Sequence, residues 1–93
     1  MSTRRGQFLH ISFKWTAVPK TNELEPVFNY AIDWLRYAPN CWIVWTTSSA
    51  QTWFRRLKPH LGPQDHMFIC RLDLTERKGW LPKWIWDWLG KRR

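Results

Sequence analysis

The sequence predicts a single α+β domain, from three observations. Residues 7–15 (QFLHISFKW) and 65–74 (DHMFICRLDL) alternate with a period of two, as half-buried strands do. Two stretches between them place apolar residues at the i, i+3, i+4 spacing of amphipathic helices. And 93 residues, 44% of them hydrophobic and 17% aromatic, suffice for one small core but not for two domains or an interdomain cleft. The same figures exclude a disordered chain.

The elements follow in order. In the first strand Leu9, Ile11, Phe13 and Trp15 point one way and Phe8, His10, Ser12 and Lys14 the other, which gives one strongly buried face. Residues 16–22 hold Pro19 and read as a loop. A helix starts near Asn22 or Glu23, with Asn22 as its cap and Glu25 completing a capping-box-like pair. Pro26 is tolerated because first-turn amides lack intrahelical partners. Leu24, Val27, Phe28 and Ala31 form the inner stripe. Residues 32–37 fit either a continued helix or a strand that turns at Ala38-Pro39-Asn40 into Cys41–Thr47 (CWIVWTT). β-Branched and aromatic residues favour strand on both sides of that turn.

Ser48 is expected to cap a second helix, with Gln51 closing a capping box. Ala50, Trp53, Phe54, Leu57 and Leu61 would line its inner side, and Arg55, Arg56 and Lys58 its surface. Gly62 and Pro63 end it. In the last strand Phe68, Cys70, Leu72 and Leu74 share one face, and Met67, Ile69, Arg71 and Asp73 the other. A polar turn over 75–79 leads to WLPKWIWDWL (80–89). There Pro82 suits position N1, Gly90 suits the C-terminal cap, and Leu81, Trp84, Ile85 and Trp88 make a stripe. Helices stacked on one face of a sheet are the expected architecture. With a hairpin over 32–47 the order is βαββαβ, the ferredoxin-like layout, plus a short Trp-rich C-terminal helix.

Charge divides the chain unevenly. Fifteen Lys and Arg against seven Asp and Glu give +8. Arg4, Arg5, Lys91, Arg92 and Arg93 lie in two basic tails (1–6 and 90–93), so the body carries only +3. Such tails suit phosphate or an acidic partner. Cys41 and Cys70 sit in apolar strand-like runs and read as buried free thiols, the alternative being a staple between neighbouring strands. Two isolated Cys with His10, His60 and His66 lack zinc spacing. No secretory signal or 18-residue apolar run is visible, so a cytoplasmic protein without a membrane contact is expected.

Of nine Trp, the stripes place Trp34, Trp42, Trp53 and Trp88 in the core and leave Trp45 and Trp86 exposed. Exposed aromatics interleaved with Arg and Lys serve single-stranded nucleic acids or protein interfaces.

Three stretches carry a family resemblance: Trp34-Leu35-Arg36-Tyr37 with Trp42-Ile43-Val44 and Thr46; Arg56-Leu57-Lys58-Pro59-His60-Leu61; and Gly79-Trp80-Leu81-Pro82-Lys83 with Trp86-Asp87-Trp88-Leu89. Together they resemble the SinR-like family over roughly residues 7–89. That family is related to the small non-integrase subunit of CRISPR spacer acquisition and to VapD-type toxins. The resemblance implies the hairpin, a ferredoxin-like fold and homodimers paired through sheet edges. It also implies a Ser-Tyr-Asp end to the first strand, whose Asp from each protomer is proposed to hold a divalent metal for phosphodiester cleavage. This chain has Ser12-Phe13-Lys14 instead. Lysine offers no oxygen ligand to Mg²⁺, but it suits a phosphate.

A basic homodimeric binding protein is therefore expected, acting on nucleic acid or on a nucleic-acid-processing protein partner, with no catalytic residue, metal or cofactor. Its contacts would be Lys14, Arg55, Arg56, Lys58, Arg4, Arg5, Lys91, Arg92 and Arg93. Its interface would take Trp80, Leu81, Trp84, Trp86 and Trp88 from the segment after the last strand. The alternatives are a VapD-like endoribonuclease toxin using His10, beside Ser12 and Lys14 on one strand face, or an acid that the sequence does not place, and a phage or plasmid protein that inhibits a defence complex.

Overall fold

The computed structural model describes residues 5–16 and 18–93. Alternation, stripe and turn signals resolve into β1 (Gln7–Lys14), α1 (Thr21–Phe28), β2 (Asp33–Ala38), β3 (Cys41–Thr46), α2 (Ala50–Leu57) with a 3₁₀ turn (Lys58–His60), β4 (His66–Leu72) and α3 (Lys83–Gly90). The ambiguous stretch is a hairpin. All four strands join one sheet in the order β2-β3-β1-β4, every neighbouring pair antiparallel. The fold is α+β, and this order of elements is compatible with a ferredoxin-like arrangement.

The period of two in β1 decides which face holds the main core. Leu9, Ile11 and Phe13 are buried there with Trp42 and Val44 of β3, against Leu24, Val27 and Phe28 of α1 and Trp53 and Leu57 of α2. Phe28 stacks on Trp42 with centroids 4.8 Å apart, and Phe13 meets the same indole edge-on at 5.4 Å. Trp53 is fully buried, and its Nε1 donates to Thr46 Oγ1 at 3.2 Å. That hydroxyl also accepts from the Ser48 amide, so the buried Thr46 is satisfied.

α3 corrects the expectation that all helices stack on one face. It lies on the opposite face, where Ile85 and Leu89 bury against Leu35 and Ile43, flanked by Phe8 and Leu72. The cause is in the strands: β2 and β3 carry Leu35, Tyr37 and Ile43 on the second face, with Phe8 at the start of β1, and among the described residues α3 is the element that covers them. Its inner stripe is Leu81, Ile85, Trp88 and Leu89. Trp84, expected inward, is 54% exposed. In a helix with a Trp at 84, 86 and 88, periodicity names no unique face.

The helix ends also shift. Lys20, not Asn22, occupies the N-cap of α1, and no side chain caps it. Pro26 is therefore the sixth helical residue, and the helix stops after eight. α2 is capped by Ser49 rather than Ser48: Ser49 Oγ accepts from the Thr52 amide at 3.1 Å, so Gln51 closes no box. Pro82 takes the N-cap of α3, and Gly90 is its last helical residue.

Trp42 and Trp53 are core, as expected, whereas Trp34 and Trp88 are half-buried. Trp45 and Trp86 are half-buried too, and the exposed indoles are Trp80 (97%) and Trp84. Cys41 and Cys70 are free and half-buried. Cys41 lies opposite Ser12 on one side of β1, and Cys70 opposite His10 on the other. Two strand spacings, about 9.5 Å, separate their strands, beyond the reach of a disulfide.

Candidate nucleic-acid-binding face

α3 covers the Gln7 end of the back face and leaves the other end of β1 and β4 open. The register sets what stands there: Ser12 pairs with Phe68, and Lys14 with His66. Lys14 and His66 are exposed, and Phe68 leaves 62% of its surface to solvent. Ser12, Phe13, Lys14, His66, Met67 and Phe68 line a cavity of about 190 Å³. A second cavity, of about 310 Å³, lies between β4 and α2, lined by Ala50, Gln51, Phe54, Met67, Phe68 and Ile69. Met67 and Phe68 belong to both, so the two form one track over the β4 edge. Phe54, expected on the inner stripe of α2, is 43% exposed there.

Asp65 fixes this end of the sheet. Its Oδ1 accepts from the Thr16 amide (2.9 Å) and the Thr16 hydroxyl (3.0 Å), and its Oδ2 from the Gly62 amide (2.8 Å). The loop from α2 to β4 is thereby tied to the chain just beyond Lys14. The main-chain bonds from Thr16 and Gly62 hold the carboxyl below its ordinary range. The acid nearest the Lys14–His66 pair thus spends its acceptors on the scaffold. Lys58 and His60 feed into the same loop, which places them at the Lys14 end of the sheet.

His10 lies deeper on this face, its Nε2 2.6 Å from Tyr37 Oη. Burial lowers the imidazole's pKa from its ordinary value. The Tyr37 phenol is pushed up to about 12, by burial first and then by its hydrogen bond and charge interaction with Cys41. A neutral imidazole beside a protonated phenol is a satisfied polar pair under the edge of α3.

The structure divides the other sequence-predicted cations. Arg55 and Lys58 are exposed on the helical layer, on the other side of the sheet from Lys14. Arg56 packs: its guanidinium lies 4.9 Å from the Trp53 ring centre and 5.1 Å from that of Tyr30. Arg5, Lys91 and Arg92 are exposed. Arg93 folds back onto Phe8, Trp45 and Trp88 with its side chain 10% exposed. Arg4 lies outside the described residues. In the segment expected at an interface, Leu81, Trp86 and Trp88 pack on the chain's own sheet, while Trp80 and Trp84 point to solvent. Sequence reasoning missed His66 and Phe68, although their alternation within β4 was legible; only the β1–β4 register brings them beside Lys14.

The divalent metal implied by the family resemblance does not fit here. Its expected ligand position is Lys14, whose cross-strand neighbour is His66, and the nearby Asp65 is engaged by Thr16 and Gly62. Among the described residues no three His, Cys, Asp or Glu side chains converge as a metal set. No helix among them is long and apolar enough to cross a membrane. No family model, curated protein or solved structure matches the chain.

Proposed function

We propose that this chain is a small ferredoxin-like protein that binds single-stranded nucleic acid at the open end of its back face. The observation that supports this reading is the grouping of an exposed aromatic, Phe68, with the Lys14 ammonium and the exposed His66 ring around one cavity. Bases stack on aromatic rings while cations follow the phosphates, a combination that tolerates any sequence. Lys58, Arg55 and the exposed tail cations add non-specific affinity. Kinship with the SinR-like family is part of the same proposal: Lys14 stands where the metal-binding Asp would, so the chain binds without cutting.

Fluorescence anisotropy with labelled single-stranded oligonucleotides across a salt series tests it. Phe68→Ala should weaken binding by about 1–3 kcal/mol, the worth of one stacked base. Lys14→Ala should flatten the salt slope by about 0.7, one phosphate contact on a single strand. Absence of binding at low salt to single- and double-stranded probes overturns the reading and leaves a protein partner. Cleavage that needs Mg²⁺ or Mn²⁺ and stops with chelator would establish the endoribonuclease instead.

Assembly as a homodimer is favoured by a separate observation. Among the described residues β4 pairs with β1 alone, and none of them pairs with its outer edge over its seven residues. The other edge, β2, carries Asp33 and Arg36 and an irregularity between Arg36 and Ala38, devices that discourage pairing.

A further inference from the structure

The Arg93 side chain sits in a receptor built by four elements. Its guanidinium carbon lies 4.4 Å from the Trp88 ring centre, 5.1 Å from that of Phe8 and 5.6 Å from that of Trp45. Nη1 donates to the main-chain oxygens of Trp88 (2.9 Å) and Lys91 (3.0 Å). Nη2 is 3.9 Å from Asp33 Oδ2. Three rings, the Trp88 carbonyl and a carboxylate at ion-pair distance suit a planar cation; the Lys91 carbonyl comes with the segment that carries Arg93. An ammonium would use the rings and the charge but not the fork.

The walls stand without Arg93. Phe8 and Trp45 are cross-strand partners on the two central strands, with ring centres 4.8 Å apart. Trp45 is backed by Gly6, where a Cβ would come within 2.2 Å of the indole, so the ring has no room to swing that way. Trp88 is fixed by its Nε1–H bond to Asp33 Oδ2 at 2.9 Å and by the buried Ile85 and Leu89 of its helix. Asp33 is held in turn by the Trp34 amide on Oδ1. The occupant, by contrast, arrives on residues 91–93, which follow α3 without regular structure.

We infer that Phe8, Trp45, Trp88 and Asp33 form a guanidinium-binding site that Arg93 fills in cis and that an arginine side chain from outside can fill in its place. The site is independent of the nucleic-acid face, which lies at the other end of the sheet. A preformed cage gives the external ligand its affinity, and the tethered Arg93 competes through its high local concentration.

The test is a titration of the full chain with N-acetyl-arginine amide, and with N-acetyl-lysine amide as control. Trp fluorescence and the Trp88 indole N–H resonance are the readouts. Arg93→Ala should bind the arginine probe saturably with a Kd of about 1 mM and prefer it over lysine about tenfold or more. The wild-type chain, its site filled, should respond at least about tenfold more weakly. Asp33→Asn added to Arg93→Ala should lose the preference for arginine. Equal responses to both probes, equal responses of wild type and Arg93→Ala, or no response of the variant overturn the inference. If Arg93→Ala does not fold, Arg93→Gln is titrated in its place with the same outcomes, and the wild-type chain checks the premise. The side-chain protons of Arg93 must show upfield ring-current shifts, and free values there overturn the inference as well.

Discussion

At the residue scale, two titratable groups link the open face to stability. The imidazole of His10 has a pKa lowered from 6.5 by burial, so the unfolded chain binds its proton more readily than the folded one. The stability this contributes is full above the unfolded value of 6.5 and is lost as pH falls from there through the folded value. Asp65, lowered from 3.8 by hydrogen bonds from Thr16 and Gly62, adds a second step of the same sign at more acid pH. Urea midpoints measured from pH 8 to pH 3 should therefore fall in two stages. His10→Gln should remove the upper stage and Asp65→Asn should shrink the lower, to which Asp73, lowered by its hydrogen bonds from Thr75, also contributes. An acid limb unchanged in both variants would show that other groups govern it.

At the element scale, the caps show how close sequence signals sit to their alternatives. Ser48 and Ser49 are adjacent, and either begins a plausible helix start. The buried Thr46 hydroxyl takes the Ser48 amide, and Ser49 Oγ takes the Thr52 amide. Ser49→Ala should therefore cost about 1 kcal/mol of unfolding free energy, while Ser48→Ala should cost a few tenths at most. Chemical denaturation of both variants at one pH checks the contrast, and equal losses would place the cap wrongly. α3 carries a related lesson. Its sequence suggested an inner stripe that included Trp84, and packing turned the helix so that Ile85 and Leu89 face Leu35 and Ile43. The Trp88–Asp33 bond then fixes that rotation.

At the scale of the whole molecule, the sheet has two unlike edges and two faces of unlike cover. The outer β4 edge predicts self-association: light scattering at micromolar concentration should give twice the 11.4 kDa monomer mass. The β4 amides should exchange more slowly at high protein concentration than at low. A monomer mass throughout would refute pairing and leave the edge guarded by the twist of the sheet and by Arg71. Basic residues fall at both ends of the sheet, with Lys14, Lys58 and His66 at one, and Arg5 at the other, where Arg93 is withdrawn into its aromatic receptor. A deletion of residues 91–93 would thus remove two solvated charges and one packing group together. Single substitutions at Lys91 and Arg92 are the cleaner probe of the tail.

How much was legible follows from the range of the forces involved. Alternation in β1 and β4 and the stripes of α1 and α2 are local, so the residues themselves set the α+β class, the strand faces and most of the core. Lys14 was also legible as an exposed cation at a strand end. Register, helix rotation and the fate of a tail are non-local. The β1–β4 pairing put His66 and Phe68 beside Lys14, and the spare apolar face of the sheet drew α3 across it. The cage of Phe8, Trp45 and Trp88 took Arg93 out of solvent. Each of these depends on side chains tens of residues apart in the chain meeting in space, which periodicity within a window does not encode. Local pattern settles which side chains seek burial and which carry charge, whereas long-range packing settles which of them meet.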